Sequence, residues 1–182
     1  MAATEYKNIW LHSTADGVAP QIKTYKIAAS QGVFMPGAPC YLSTSGTIKL
    51  SDTCDGTGDV YHGFIVGLAN KSTTWPIAAQ LAGNTEVRVS MIDPDDYYVV
   101  QVETSGTDAT APQTLVGDSN GLVVSTTATQ IGYTTLNTAN SNTAFLITDL
   151  MANVEPSKYA LADSPGWVIG KFLSANVNVS KA

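Results

Sequence analysis

Two histidines, His12 and His62, and two cysteines, Cys40 and Cys54, are the only residues of those types in the chain. Nucleophilic catalysis needs a base beside the nucleophile. Neither histidine sits in a Gly-x-Ser-x-Gly or Cys–His context. A catalytic zinc takes two or three His or acidic ligands at close spacing, and these histidines are isolated. His62 precedes Gly63 at a strand start, so a surface or strand-end imidazole is expected there. The cysteines form no Cys-x-x-Cys. They could bridge two neighbouring strands, but in a reducing compartment two packed thiols are the expectation.

The acidic residues group in two loops, Asp52, Asp55 and Asp59 in one and Asp93, Asp95 and Asp96 in the other. Calcium favours several carboxylate oxygens on a flexible loop, yet neither stretch has the glycine and distal Glu that an EF-hand requires. Asp at a turn is explained by hydrogen bonds to its own backbone. No sequence feature singles out a glycosidase pair of carboxylates. Gly56-Thr57-Gly58 opens no clear helix and lacks the third glycine of a dinucleotide site, and no phosphate loop is present. Tyr6, Trp10, Tyr25, Trp75, Tyr97, Tyr98, Tyr133, Tyr159 and Trp167 are scattered and are expected mostly to fill a core. The residues therefore point to no catalytic site, no cofactor and no metal, and to a protein that is not an enzyme.

Composition bounds the rest. The 182 residues carry 13% charged side chains against about 25% for an average soluble domain. The formal charge is −6, and the nine Lys and Arg form no cluster. Neutralising phosphates takes such clusters, so neither nucleic acid nor an anionic membrane is an expected partner. No apolar run approaches the roughly 20 residues that span a bilayer. The start, Met1-Ala2-Ala3-Thr4-Glu5, lacks the basic and apolar parts of a signal peptide, so synthesis in a cytoplasm is expected. The chain holds 22 Thr, 16 Val, 15 Ser and 15 Gly, which suits pleated sheet and turns.

The pattern along the chain agrees with that composition. Strands are expected at Ile22–Ile27, Cys40–Leu42 with a hairpin partner at Thr47–Leu50, Tyr61–Leu68, Glu86–Ile92, Tyr97–Val102, Ala144–Thr148 and Trp167–Phe172. Gly63 and Gly67 inside a strand suggest bulges or close backbone approach. A hairpin is expected between Thr114–Val116 and Leu122–Ser125, around Gly117–Gly121. Thr134–Thr143 reads as an exposed loop. Asn176–Val179 adds an edge. Helix is confined to short turns, the best at Thr74–Gly83 and another at Ser157–Leu161. The fold class is all-β, a small β-barrel or sandwich with an N-terminal extended arm and one or two short helical turns.

One set of residues carries a resemblance. Gly32-Val33-Phe34-Met35-Pro36-Gly37-Ala38-Pro39-Cys40-Tyr41-Leu42 runs through Gly46–Leu50 and Asp59 to Gly63-Phe64-Ile65-Val66-Gly67-Leu68. This hairpin, short acidic loop and apolar strand resemble the small β-barrel head-decoration (cement) proteins of tailed bacteriophages. Residues 87–102, Gly117-Asp118, Gly132-Tyr133 and Val168-Ile169-Gly170-Lys171-Phe172 are similar to the family's later segments. The resemblance spans about residues 26–173 and implies no catalytic residue. It implies a structural virion protein, made in the host cytoplasm, that binds the outside of a capsid. Its implied partners are the major capsid protein, whose subunits it bridges, and further copies of itself as a trimer or dimer. A carbohydrate-binding or adhesion β-sandwich is the alternative reading.

Residues 1–20 precede the resemblance and are expected as an arm, with residues 21–182 as the barrel domain. Tyr6, Ile9, Trp10 and Leu11 are the candidate assembly contacts. The apolar group is too short for an independent helix, and Gly17 and Pro20 separate it from the strands that follow. Two arrangements are open to it: adding a strand to a neighbour's sheet, or folding back so that Trp10 covers the edge or end of its own barrel.

Overall fold

The computed structural model describes residues 9–29, 37–50, 53–54, 60–69, 85–105, 107–124, 134–139 and 144–177. In chain order the strands are β1 (Trp10–Ser13), β2 (Ile22–Lys26), β3 (Ala38–Leu42), β4 (Ile48–Leu50), β5 (Thr53–Cys54) and β6 (Tyr61–Leu68). They continue with β7 (Glu86–Met91), β8 (Tyr97–Thr104), β9 (Thr107–Asp108), β10 (Ser119–Val124), β11 (Thr134–Asn137), β12 (Phe145–Leu150) and β13 (Trp167–Phe172). Helix among the described residues is limited to one turn, α1 (Met151–Val154), and two 3₁₀ turns at Gln113–Leu115 and Ser174–Asn176. The chain is all-β, as its Thr and Val content requires.

The larger sheet closes on itself. Strands pair in the cycle β8–β11–β10–β12–β13 and back to β8, with only β8–β11 parallel. A five-stranded barrel results. Its interior holds Tyr98, Val100, Val102, Leu122, Leu136, Phe145, Ile147, Val168 and Phe172, all buried. β8 is long enough to serve several neighbours. One of its edges pairs with β1 near its start and with β11 near its end, while the other edge takes β13 and then β9. Such a strand is covered on every side, and Tyr98 to Glu103 are buried without interruption.

The second sheet, ordered β2–β7–β6–β3–β4, is antiparallel throughout. It curls until its two ends meet. Ile27 forms a parallel bridge with Ile48, and the Ala28 N–H donates to the Ile48 carbonyl at 2.8 Å. Ile27, Cys40, Ile48, Ile65, Val87 and Val89 fill this smaller barrel, each with no exposed surface. The strand expected at Glu86–Ile92 is β7, and it alternates over its first four residues: Val87 and Val89 face the core while Glu86 and Arg88 are exposed.

β6 joins the two cores. Its register against β3 slips so that Cys40 pairs with Gly63 and Tyr41 with Tyr61, leaving His62 as the extra residue of a bulge. The bulge resets the alternation. Tyr61 and Phe64, three residues apart, therefore both enter the larger barrel's core, while Ile65 enters the smaller one. There the Phe172 ring lies 5.0 Å from Tyr61, 5.6 Å from Phe64 and 5.3 Å from both Tyr98 and Phe145, centroid to centroid. A second slip, at Val66, bends β6 against β7. At Gly63 a Cβ would collide with the Ser90 carbonyl and a Val89 methyl, so the close approach expected of this glycine is real.

Several expectations fail for local reasons. No hairpin turns at Gly117–Gly121. Pro112 leads instead into the 3₁₀ turn at Gln113–Leu115, Gly117 takes φ 97°, and β10 pairs with β11, β12 and β5. Thr134–Asn137 is not loop but β11, wedged between β8 and β10 with Thr134, Thr135 and Leu136 buried. Threonine is polar enough to read as loop and β-branched enough to be a strand, and packing decides. The helical turn near residue 157 lies earlier, at Met151–Val154, directly after β12. Of the edge expected at Asn176–Val179, Val177 makes a single parallel bridge to Tyr61. The helix expected at Thr74–Gly83 falls outside the described residues.

Candidate functional site

Residues 9–15, the described start of the expected arm, lie against their own barrel. β1 runs antiparallel to β8, with Trp10 opposite Val99 and Leu11 opposite Tyr98. Strand alternation splits its side chains between two faces. Ile9 is buried in the larger barrel's core and Leu11 packs against the same cluster. Trp10 points the other way and is half-buried, its ring 5.0 Å from Trp167 and tilted by 58°. Tyr159 meets the same Trp167 at 5.9 Å, and Val99, Met151 and Ile169 floor this outer cluster. Nearby, the Lys171 ammonium lies 4.2 Å from the centre of the Tyr97 ring. Of the two arrangements open to this segment, it takes the folded-back one over residues 9–15. The structure brings Ile9, Trp10 and Leu11 together on one strand; Tyr6 lies outside the described residues.

The acidic turn fastens the segment. The Ala15 N–H donates to Asp96 Oδ1 at 2.9 Å across 81 residues of sequence. Asp96 is only 4% exposed, and burial, reinforced by the neighbouring carboxylates of Asp93, Asp16 and Asp95, pushes its acid strength down and its pKa up; the Ala15 bond opposes this. Asp93 serves the turn itself: its Oδ1 accepts the Asp95 N–H at 2.9 Å and its carbonyl accepts the Asp96 N–H at 3.1 Å. Local hydrogen bonding accounts for Asp93, as expected of Asp at turns, whereas the Asp96 carboxylate serves the distant Ala15. The loop of Asp52, Asp55 and Asp59 lies outside the described residues. No group of three or more His, Cys, Asp or Glu poised to hold a metal occurs among the described residues.

The two histidines part company. His12 is exposed on β1, while His62, at the strand end as one half of its reading has it, is buried, 1% exposed, and not a surface imidazole. The β6 bulge turns its ring into the end of the smaller barrel. His62 Nε2 lies 2.7 Å from the Tyr25 hydroxyl, and that hydroxyl donates to Met91 Sδ at 3.9 Å. His62 Nδ1 is buried with no hydrogen-bond partner. Burial, with the Lys23 charge beside it, lowers the imidazole's pKa below its ordinary 6.5. Burial, with Cys40 adding to it, raises that of Tyr25. Cys40 is a free, buried thiol whose Sγ donates to the Gly63 carbonyl at 3.2 Å. Burial drives its pKa far upward, the reverse of what a reactive thiol needs.

Sequence reasoning missed Asp96 and His62 as buried polar groups. The glycine after His62 was a signal for the bulge that buries it. Asp96, alone of the three acidic turn residues, is followed directly by the apolar run of β8. Comparison with protein-family models and with characterised proteins finds no match to this chain.

Proposed function

We propose that the protein is a structural component of a virion, binding the outer surface of a tailed-phage capsid and bridging neighbouring major capsid subunits. The observation that carries this reading is the block of residues resembling head-decoration proteins, together with where that block lies. The hairpin β3–β4, the strand β6 and the strand β7 are adjacent in one sheet, and the acidic turn after β7 leads into β8 at the centre of the other. Among the described residues, the resembling segments thus supply β3, β4, β6 and most of β7 in the smaller barrel and most of β8 and β13 in the larger.

The surface chemistry supports the same reading. A shell pressurised by packaged DNA opens where subunit contacts fail, and a bridging protein adds area that must be broken first. A standard interface buries about 1,600 Å², and symmetric copies multiply the effect. Few charges and many Ser, Thr and Asn side chains suit broad, wet, hydrogen-bonded contacts. The role needs neither catalysis nor a cofactor.

Co-sedimentation with expanded, DNA-free shells assembled from the major capsid protein of the same genome tests the reading. Saturable binding, with shells that then resist heating better, is the expected result. A protein that leaves such shells bare and instead binds glycans on an array belongs to the adhesion class.

A further inference from the structure

Ladder hydrogen bonds determine which backbone groups of β2 are used. The Met91 N–H donates to the Gln21 carbonyl at 2.8 Å, and the Ile27 N–H donates to the Thr85 carbonyl at 2.9 Å. With Lys23 opposite Val89 and Tyr25 opposite Val87 between them, the odd-numbered residues bond to β7. In an antiparallel ladder the alternate residues direct their N–H and C=O the other way. Ile22, Thr24 and Lys26 therefore face away from β7. The next residue of that series, Ala28, spends its N–H on Ile48 where the barrel seam closes. Ahead of the seam β2 pairs with β7 alone among the described residues, and the three outward residues are all exposed. Ile22 is 60% exposed and Val18, on the approach to the strand, 64%.

We propose that this open edge pairs with a second copy of the chain, β2 against β2, antiparallel about a two-fold axis at Thr24. The limits of the edge select that register. Pro20 has no N–H to offer at one end, and Ala28 is already committed at the other. The three free residues between them have Thr24 as their midpoint, and only pairing Ile22 with the partner's Lys26, Thr24 with the partner's Thr24 and Lys26 with the partner's Ile22 uses them all. The side chains then suit one another. No two lysines stand opposite. The Lys26 stem lies along the exposed Ile22, and a Thr–Thr pair sits on the axis. The contact is isologous, so it closes at two copies and leaves no growing edge. One short strand edge buries less than the about 1,200–2,000 Å² of a stable interface, so the dimer is a reversible one that forms with concentration. This inference concerns the free protein and does not rest on the capsid reading.

Sedimentation equilibrium of the full chain over a concentration series tests it, with melting temperature measured in parallel. Thr24→Pro removes an N–H from the open edge and none from the ladder to β7; it should weaken the dimer at least about tenfold with little change in melting temperature. Ile22→Lys sets a lysine against the partner's Lys26 twice and should weaken the dimer by about tenfold, whereas Ile22→Glu should retain it and make its dissociation constant rise with salt. If Thr24→Pro lowers the melting temperature sharply, the Ile22 pair decides. A protein monomeric at every concentration overturns the proposal. So does a dimer that ignores these substitutions, or one that Ile22→Lys and Ile22→Glu weaken equally.

Discussion

Asp96 and His62 show how one buried polar group gains from a partner and another is held at a cost. Asp96 Oδ1 accepts the Ala15 N–H, but three carboxylates crowd its charge. Asp96→Asn keeps an oxygen in place and removes the repulsion. Thermal unfolding at neutral pH should show it at least as stable as the parent, while Asp96→Ala, which leaves the Ala15 N–H unanswered, should lose about 1–3 kcal/mol. His62 acts through its neutral form. Its folded pKa lies below the ordinary 6.5, so as pH falls through that value the unfolded chain takes up a proton that the folded chain refuses. The neutral imidazole's contribution is present above 6.5 and is lost on acidification toward the folded value, because an imidazolium would carry an N–H at Nδ1 with no acceptor, beside Lys23. The melting temperature should fall between pH 7.5 and pH 5, about the ordinary imidazole range. His62→Gln should flatten that fall; an unchanged slope would mean that His62 does not set it.

At the scale of elements, what was legible in the sequence is what periodicity alone can decide. β7 reads as a strand because Glu86-Val87-Arg88-Val89 alternates, and the structure puts Val89 in the smaller core and Arg88 outside. Val89→Asp places a charge in a site with no exposed surface and should cost more than about 4 kcal/mol, whereas Arg88→Gln should stay within about 0.5 kcal/mol; chemical denaturation measures both. β11 was hidden because Thr134-Thr135-Leu136-Asn137 has no alternation, and its strand character comes from β8 and β10 on either side. The place of β1 was likewise undecided, since a strand of four residues with two apolar ones fits its own sheet or a neighbour's equally well. Its candidate residues were legible as types, and their partners, Trp167 and the Tyr98 core, were not. Removing residues 1–13 strips Ile9, Trp10 and Leu11 from their clusters. A loss of about 3 kcal/mol, or roughly 6–12 °C in melting temperature, is expected. A truncated chain that keeps its melting temperature yet no longer binds shells would assign the segment to assembly instead.

For the whole molecule, two small closed barrels are joined through β6, a strand of the smaller that sends Tyr61 and Phe64 into the core of the larger, and that explains how so few charged residues suffice. Closure leaves little sheet edge to defend, so the surface can be built from neutral Thr, Ser and Asn. Among the described residues β2 leaves one edge open, and it carries Lys23 and Lys26. That junction depends on the bulge at His62, and Gly63→Ala, which drives a Cβ into the Ser90 carbonyl, should cost about 1–3 kcal/mol by loosening β6 from β7. A double-barrelled body with few charged side chains is suited to sit across a junction and resist its opening. An electron-microscopy reconstruction of expanded shells mixed with the protein tests that claim most directly. The account predicts added density on the outer surface at symmetry-related positions, each unit contacting at least two major capsid subunits. Bare shells, or density resting on single subunits without spanning a junction, would contradict it.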